Sequence, residues 1–288
     1  MAPAAGFDWV TFLSDYGHDD VFVGVCKGAI ARVAPHVNIL DVCHLIAPQD
    51  VEQGAAQLAA AMPFLPVGVH LAVVDPQGDQ VRGVAVRTGD GSLLVGPDNG
   101  LLSLAWDIRG GIAEAVEVAN SRLWLERVHP TFRGRDVYAP VAGHLAAGRP
   151  LSDVGPTVAA QELQQISAHP PMVDDDHVHA EITAVDHFGN ASLNIQRSEL
   201  QAAGIELGDT VEVRCNGRTV SMPFTHTFSD VPPGQLALCE DAFRAVQFAV
   251  NAGRASNELR VSRGDPVVVA RVPQHAPRAR PAVTTARQ

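Results

Sequence analysis

The feature that most constrains the fold is a change of hydrophobic pattern near the middle of the chain. In the first half, short apolar runs alternate with segments whose apolar residues recur at helical spacing, as in Val21, Val25, Ala29 and Val33. Alternating strands and helices predict parallel strand pairing in an α/β sheet. From about residue 177 the chain instead shows a series of short strands, and Asn216-Gly217 between two of them predicts a hairpin. We therefore predict an N-terminal α/β/α sheet domain followed by a smaller, mostly β, barrel-like domain.

The domain boundaries follow from composition. A chain of 288 residues is long enough for two domains. The polar stretch at residues 167–176, which contains PPMVDDD, is the natural linker. We place the α/β domain at residues 8–166 and the β domain at residues 177–272. Residues 273–288 are rich in Pro, Ala and Arg without a packing pattern, so we predict a disordered tail.

Several elements of the first domain can be placed by their hydrophobic runs and turn residues. The predicted strands cover residues 9–13, 38–42, 69–74, 84–87 and 93–95, and the predicted helices cover residues 20–33, 51–62 and 139–147. Asp50 stands where it can cap the second helix. The sequence GDG between the fourth and fifth strands predicts a hairpin turn.

Charge and hydropathy restrict the partners. The formal charge is −11, and an acidic surface repels the phosphate backbone, so we expect no nucleic-acid partner. No apolar run is long enough to span a bilayer, and the N-terminal MAPAAGFDW lacks the basic start and apolar core of a signal peptide. We therefore expect a soluble, cytoplasmic protein without a membrane partner.

The cysteines and histidines do not predict a metal centre. Cys26, Cys43, Cys215 and Cys239 are scattered without a C-x-x-C pair, and we interpret them as buried, reduced thiols. The segment DDDHVHAE carries an H-x-H pattern with carboxylates, but its surroundings resemble a linker and favour a solvated polar segment. We expect no metal site.

Polar residues follow the predicted strands. Asp15, Asp41 and Asp75 come at or near the ends of the first three strands, and Asp98 and Arg82 flank the next two. Ligands of open α/β sheets bind beyond the carboxyl ends of the strands, so these residues predict a polar pocket. Neither a phosphate-binding loop nor G-x-G-x-x-G is present, which favours a nucleoside without phosphates. We also find no Ser-His-Asp order and no nucleophile elbow.

Six stretches, in order along the chain, resemble one known family. They are TFLSDYGHDDVFVGVCKGAI, DVCHLIAPQDVEQGA, VVDPQGDQVR, VGPDNGLLS, TFRGRDVYAPVAGHLAAG and VDHFGNASLNI. They are similar to the S-adenosylmethionine (SAM) hydroxide adenosyltransferases, which are related to SAM-dependent fluorinases and chlorinases. The resemblance covers nearly all of residues 8–270. It implies hydrolysis of SAM to adenosine and L-methionine, with SAM as substrate, no separate cofactor, and a homotrimer whose active sites lie between the N-domain of one subunit and the C-domain of its neighbour.

The resemblance also implies roles for residues of the first domain. Asp15 matches the aspartate that holds the ribose hydroxyls. Asp75 and Arg82 match two members of the family's water-activating Asp-Arg-His set. Thr131 and Phe132 match the segment that flanks the sugar and its C5′ carbon.

In the second domain the resemblance implies a binding surface for both ends of SAM. Asp186, Phe188 and Asn190 match the loop that reads the methionine end and the base. Phe228 matches an aromatic side chain near adenine. Asn251 and Ala252 lie where backbone groups read the edge of the adenine ring.

One departure from the family pattern falls in the catalytic set. The family sequence TFHGRD is TFRGRD here, so Arg133 replaces the histidine. An arginine stays protonated and cannot act as a general base, although it can donate to the nucleophile or to Asp75. We therefore count Arg133 with Asp75 and Arg82 as a catalytic candidate. Arg135 is expected to pair with Asp136 or Asp98 and brace the turn.

Two alternatives to hydrolysis stay open on the sequence. A chlorinase-like halogenase would bind the same substrate, but the halogenases have tyrosine where this chain has Asp75, and a carboxylate there repels halide. A SAM- or adenosine-binding protein without turnover is the other alternative, since Arg133 replaces the family histidine. His129, four residues before Arg133, is a weaker candidate for the missing imidazole.

Overall fold

A computed structural model describes residues 6–74, 81–167 and 170–272. The chain forms two compact units, divided between Ala168 and His169. Each unit has its own apolar interior, and we describe them separately.

The N-terminal unit contains a six-stranded sheet and four helices. The strands are β1 (Trp9–Ser14), β2 (Asn38–Cys43), β3 (Val69–Val73), β4 (Gly83–Thr88), β5 (Leu93–Pro97) and β6 (Ile112–Glu117). The helices are α1 (Phe22–Val33), α2 (Val51–Ala61), α3 (Ser103–Ile108) and α4 (Ala139–Ala146).

The strand order in this sheet is β2-β1-β3-β5-β4-β6. Neighbours among β2, β1, β3 and β5 are parallel, as predicted, whereas β4 runs antiparallel to both β5 and β6. The antiparallel β4–β5 pair confirms the hairpin predicted at the GDG turn, while the general expectation of parallel pairing does not extend to β4 and β6. A short turn reverses the chain, whereas a parallel connection needs a crossover of a dozen residues or more. Strand β6 was not predicted from the sequence.

Helices cover both faces of the sheet. On one face, Phe12 and Leu71 pack with Ile30 of α1 and with Leu145 of α4. On the other face, the neighbouring strand residue Leu13 belongs to a cluster that includes α2 and α3 residues. Because successive strand side chains point to opposite faces, the apolar runs of these strands fill both layers, which gives the predicted α/β/α arrangement.

The helix starts follow the local sequence. The Asp50 carboxylate accepts the Gln53 N–H at 3.0 Å, which confirms the predicted cap of α2. Helix α1 begins at Phe22, two residues later than predicted, so Asp19 and Asp20 precede it. Before α4 the chain makes a π-helical turn at Gly134–Tyr138. A Cβ at Gly134 would clash with the Tyr16 hydroxyl, so this turn packs directly on the loop after β1.

The C-terminal unit is mostly β, as predicted. Its strands are β7 (Met172–Val173), β8 (His177–Val185), β9 (Ala191–Leu193), β10 (Thr210–Cys215), β11 (Arg218–Pro223), β12 (Leu236–Glu240), β13 (Val246–Val250) and β14 (Pro266–Arg271). Two short helices, α5 (Arg197–Ala202) and α6 (Ala255–Leu259), join them.

The main path of this second sheet is β11-β10-β14-β8-β9-β13-β12, and its paired strands are antiparallel. A bridge between Phe224 and Leu238 connects the two ends of the path, so the sheet is nearly closed and barrel-like. The predicted hairpin at Asn216-Gly217 joins β10 and β11, and both turn residues have positive φ.

The cysteines agree with their predicted state in part. Cys26, Cys215 and Cys239 are buried, while Cys43 is half-buried, and none is in a disulfide. Burial raises the pKa of Cys26 to about 12, so its thiol is unreactive near neutral pH. Among the helices in the described ranges, none has the length and apolar character required to cross a bilayer.

Candidate functional site

The loop after β1 places Asp15 at the carboxyl end of the sheet. Oδ2 of Asp15 accepts the Gln49 N–H at 2.9 Å, and Gln49 has a left-handed backbone conformation at φ 66°. Asp15 is half-buried, and burial raises the pKa of its carboxyl group above the ordinary value, although backbone N–H groups oppose the shift. A carboxylate with one oxygen fixed by the backbone can offer its other oxygen to ligand hydroxyls.

A chain of hydrogen bonds runs behind Asp15. Ser14 Oγ bonds to His44 Nδ1 at 2.7 Å, and His44 Nε2 bonds to Asp41 Oδ1 at 3.0 Å. Lys27 Nζ donates to the second oxygen of Asp41 at 2.6 Å. We call these four residues the Ser14–Lys27 relay. Burial lowers the pKa of His44 despite the carboxylate beside it, so its imidazole is neutral near pH 7.

This relay brings a serine, a histidine and an aspartate together, which the order of residues in the sequence did not indicate. The sequence placed each of the three residues near a strand end without showing that they meet. The arrangement is still not that of a nucleophilic serine. Ser14 is 0% exposed, and it bonds to Nδ1 rather than to Nε2, the nitrogen that faces the nucleophile in serine hydrolases.

Arg82 is held by a buried carboxylate. Its Nε donates to Asp98 Oδ2 at 2.6 Å, and its Nη2 donates to the Glu162 carbonyl at 2.8 Å. The Asp98 side chain is 3% exposed, and its other oxygen accepts the Gln164 N–H at 2.8 Å. The Arg82 side chain remains 32% exposed, so part of this charged donor is accessible at the carboxyl edge.

Arg133 faces the same edge. Its Nη1 donates to the Val81 carbonyl at 2.6 Å, and its guanidinium lies over the Tyr138 ring, 5.3 Å from the ring centre. Val81 directly precedes Arg82, so Arg133 fixes the peptide bond between Val81 and Arg82. The side chain is half-buried and is not turned out to solvent.

Thr131 and Phe132 line a cavity of about 370 Å³. The ring of Phe132 packs edge-on against Tyr16 and Phe22, with centres 5.6 and 5.2 Å away. His129, the weaker candidate for the missing imidazole, also lines this cavity, and its Nδ1 bonds to Thr131 Oγ1 at 2.9 Å.

Arg135 braces the cavity wall. It lies over the Phe132 ring at 4.6 Å and forms two hydrogen bonds with Asp136, at 2.5 and 2.8 Å. Of the two expected partners it therefore takes Asp136, while Asp98 pairs with Arg82. Burial alone would raise the pKa of Asp136, but Arg135 and the His129 N–H outweigh it and hold the pKa below its ordinary value.

The turn at residues 131–133 contacts the loops that carry two other candidate site residues of the N-terminal unit, Asp15 and Arg82. Phe132 contacts Tyr16, the neighbour of Asp15, and Arg133 bonds to Val81, the neighbour of Arg82. Asp75 lies outside the described residues, so the structure says nothing about its place. Within the described ranges, no group of three or more His, Cys, Asp or Glu side chains is arranged to hold a metal ion.

In the C-terminal unit, the predicted loop at residues 186–190 is a compact turn. Both oxygens of Asp186 bond to Asn190, one to its backbone N–H and one to its Nδ2, each at 2.8 Å. Phe188 at the tip is 72% exposed. Arg254 donates to the His187 carbonyl at 2.8 Å, which ties this loop to the segment after β13.

The other candidates of this unit lie near that segment. Asn251 Nδ2 donates to the Val231 carbonyl at 2.7 Å, and the Asn251 N–H and C=O bond to Gln235 and Gly234. The backbone N–H of Asn251 is thus already used inside the unit. Ala252 has a left-handed backbone at φ 59°, and Phe228 is partly exposed.

Some residues of the site were not assigned roles from the sequence. Tyr16 and Phe22 complete the aromatic wall, the Val81 carbonyl anchors Arg133, and Ser14 and His44 form the relay. Ser14 directly follows the first predicted strand and His44 lies two residues after the second, so the sequence placed both as polar residues near the carboxyl ends of neighbouring strands. No sequence pattern predicted the aromatic wall, because Phe22 lies within a predicted helix and was interpreted only as part of that helix.

Comparison with protein families matches both units to one family. The N-terminal domain of SAM hydroxide adenosyltransferases matches residues 10–155, and the C-terminal domain of the same family matches residues 180–268. A crystal structure of an uncharacterized conserved protein from Thermotoga maritima is similar, with a TM-score of 0.86 and 33% identity, over 91% of this chain and 100% of that one.

Named relatives fall into two groups. A protein of Salinispora tropica named (R)-S-adenosyl-L-methionine hydrolase is 45% identical, over 92% of this chain and 97% of its own length. A protein of the same name from Thermus thermophilus is 35% identical over 90% of this chain and 98% of its own. A fluorinase of Actinoplanes sp. is 33% identical over 79% of this chain and 85% of its own.

Proposed function

Because the chain belongs to the SAM hydroxide adenosyltransferase family, we propose that it hydrolyses S-adenosyl-L-methionine to adenosine and L-methionine. The hydrolases of Salinispora tropica and Thermus thermophilus are more similar to this chain, and span more of it, than the fluorinase of Actinoplanes sp.. That difference favours hydrolysis over halogenation. The name of these relatives also makes the (R) form of the substrate the first to test.

The proposed reaction is an in-line displacement at C5′. The oxygen of water or hydroxide forms a bond to C5′, the C5′–S bond breaks, and its electron pair returns to sulfur as the neutral thioether of methionine. One proton of the attacking water goes to a base, for which Asp75 is the candidate. SAM itself supplies the leaving group, so the proposal includes no cofactor.

The observation that carries the proposal is how Arg82 is fixed. Asp98 and the Glu162 carbonyl hold its guanidinium at the carboxyl edge, and the side chain stays 32% exposed, so in this proposal it donates to the nucleophile. A permanently charged donor in a fixed position stabilises a nucleophile that carries developing negative charge. In this proposal Arg133 supports Arg82 through the Val81 carbonyl and does not act as a base.

Asp15, Thr131 and Phe132 are proposed to hold the sugar. Asp15 accepts from the ribose hydroxyls, and the walls of the aromatic cavity lie against C5′ and exclude water from around the nucleophile. Asp186, Phe188, Asn190, Phe228, Asn251 and Ala252 are proposed to bind the base and the methionine end.

A cytoplasmic homotrimer with active sites at its subunit interfaces is a further part of the proposal. The exposed aromatic side chains Phe188 and Phe228 support it, because side chains of this kind are enriched where subunits meet. Light scattering on the eluting peak of a size-exclusion column tests the trimer.

The activity test uses purified protein with the (R) and (S) sulfonium epimers of SAM in separate reactions. We expect chromatography to show adenosine and methionine in equal amounts. Adenosine no higher than in a boiled control, for both epimers, would contradict hydrolysis. Chloride-dependent formation of 5′-chloro-5′-deoxyadenosine would instead support the halogenase, and adenosine binding without turnover would support the binding protein.

A further inference from the structure

The Ser14–Lys27 relay is a buried polar assembly that the proposed reaction does not use directly. Ser14 and His44 are both 0% exposed, and each polar atom of their side chains has a partner. The relay ends at the surface, where Asp41 and Lys27 are partly exposed. Burying a hydroxyl and an imidazole is unfavourable unless their hydrogen bonds are satisfied.

The relay fixes the loop that carries Asp15 at three points. Ser14 is the covalent neighbour of Asp15, and its Oγ accepts the Tyr16 N–H at 3.4 Å. The His44 carbonyl accepts the Gly17 N–H at 2.7 Å. His44 thus contacts the loop through its side chain on one side of Asp15 and through its backbone on the other.

We propose that His44 and Ser14 are positioning residues that hold Asp15 in the orientation that binds the ribose hydroxyls, an inference that rests on the proposed function. Asp15 Oδ2 accepts the Gln49 N–H, so the orientation of the loop contributes to where Oδ1 points. A small rotation at Ser14 would move Oδ1 away from the hydroxyls, while the rest of the sheet stays in place.

The protonation of the relay follows from its partners. Asp41 has a lowered pKa: burial raises it, but Lys27 and His44 outweigh burial, so the carboxylate is charged. A neutral His44 then carries its proton on Nε2, which donates to Asp41, and Nδ1 accepts the Ser14 hydroxyl. Oγ of Ser14 is left to accept from Tyr16.

The same strand contains a matched control. Thr11, three residues before Ser14, is buried, and its Oγ1 bonds to Nδ1 of the buried His70 at 2.8 Å. This pair has the same hydroxyl–imidazole hydrogen bond and similar burial as Ser14 and His44, but it has no carboxylate behind it and lies toward the amino end of β1, away from Asp15. Thr11→Val and Ser14→Ala each remove one buried hydroxyl from the same strand.

The experiment compares the binding of adenosine and 2′,3′-dideoxyadenosine to the full-length protein by calorimetry, with ligand up to millimolar concentrations. We expect Ser14→Ala to weaken adenosine binding about tenfold, in line with losing part of a charged hydrogen bond. The affinity of the same variant for dideoxyadenosine, which lacks both hydroxyls, should fall less than twofold. Thr11→Val should leave adenosine binding within about twofold, and Ser14→Thr, which keeps the hydroxyl, should restore most of the affinity.

Thermal melting of each variant separates positioning from loss of fold. Equal weakening by Ser14→Ala and Thr11→Val, or equal weakening for both ligands, would overturn the proposal. The outcome is separable from the activity test: wild-type protein that binds adenosine but leaves SAM intact contradicts hydrolysis and still permits this comparison. Wild-type protein that binds neither nucleoside would overturn the positioning role, while adenosine formation from SAM alone decides hydrolysis.

Discussion

The two edges of the N-terminal sheet each pair an arginine with a carboxylate, but the two arginines differ in exposure. At the carboxyl edge, Arg82 pairs with Asp98 and stays 32% exposed. At the amino edge, Arg109 pairs with Asp90, donates to the Met62 and Leu65 carbonyls, and is 11% exposed. Arg109 is thus almost enclosed by protein groups, whereas about a third of the Arg82 side chain remains accessible.

The two buried histidines, His44 and His70, also differ in the groups they contact. His44 at the carboxyl edge is linked through Asp41 to the surface, and it holds the loop of Asp15. His70 bonds to Thr11, and among the described residues its Nε2 has no partner. Burial and the nearby Arg109 lower the pKa of His70 to about 4. The comparison teaches that buried polar groups stabilise the fold at one edge and orient the candidate site at the other.

The largest effect on activity should come from replacing Arg82 at the carboxyl edge. Arg82→Gln should lower kcat/KM for SAM about 10²- to 10³-fold, because a charged donor to the nucleophile is lost. Steady-state kinetics with adenosine detection measures it. Arg109→Gln is the matched change at the amino edge, and it should lower the melting temperature with much less effect on kcat. Similar losses of kcat for both variants would break the comparison.

The buried His70 near the amino edge should make the stability of the protein depend on pH. The pKa of His70 is about 4 in the fold, below the ordinary value of 6.5, so between these pH values the unfolded chain binds a proton that the folded chain does not. Stability should therefore fall as pH drops from 6.5 to 4, by about 2–3 kcal/mol from this residue.

Urea unfolding of wild type and His70→Gln at several pH values isolates that contribution. His44 and His144 also have lowered pKa values, and their contributions cancel in the difference between the two proteins. The difference in unfolding free energy should change across pH 6.5 to 4 and stay constant above pH 7. A difference independent of pH would show that His70 does not titrate as proposed.

Arg133 should have the smallest of these effects, because it acts through a backbone carbonyl. Arg133→Gln should lower kcat about tenfold with little change in KM, since Val81 and Arg82 lose one charged anchor. Arg133→Lys keeps a charged donor and should lose about threefold or less. A loss at Arg133→Gln as large as that at Arg82→Gln would indicate direct contact with the nucleophile.

Much of the fold could be predicted from local patterns. The strand positions of β1, β2 and β3, the Asp50 cap and the Asn216-Gly217 hairpin follow from hydrophobic runs and turn residues, which act over a few neighbours. The GDG hairpin likewise predicted the antiparallel β4–β5 pair, whereas β6 was missed and the alternation of strands and helices did not indicate its antiparallel pairing with β4.

The contacts of the candidate site were harder to predict. Ser14 meets His44 only because β1 and β2 pair in parallel with a register shift after Phe12, and no local pattern encodes that shift. The contact of Arg133 with Val81 joins residues 52 positions apart through two loops. The position of a residue along a strand predicts whether it reaches the carboxyl edge of the sheet. Which of these residues bond to one another depends on tertiary packing.

Hydrolysis of SAM in water enriched in ¹⁸O tests the central claim most directly, because it reports which bond water attacks. Attack at C5′, with Arg82 holding the nucleophile, predicts one ¹⁸O atom in the 5′-hydroxyl of adenosine and none in methionine, as read by mass spectrometry. Adenosine formed without the label, or label in the methionine fragment, would contradict the account.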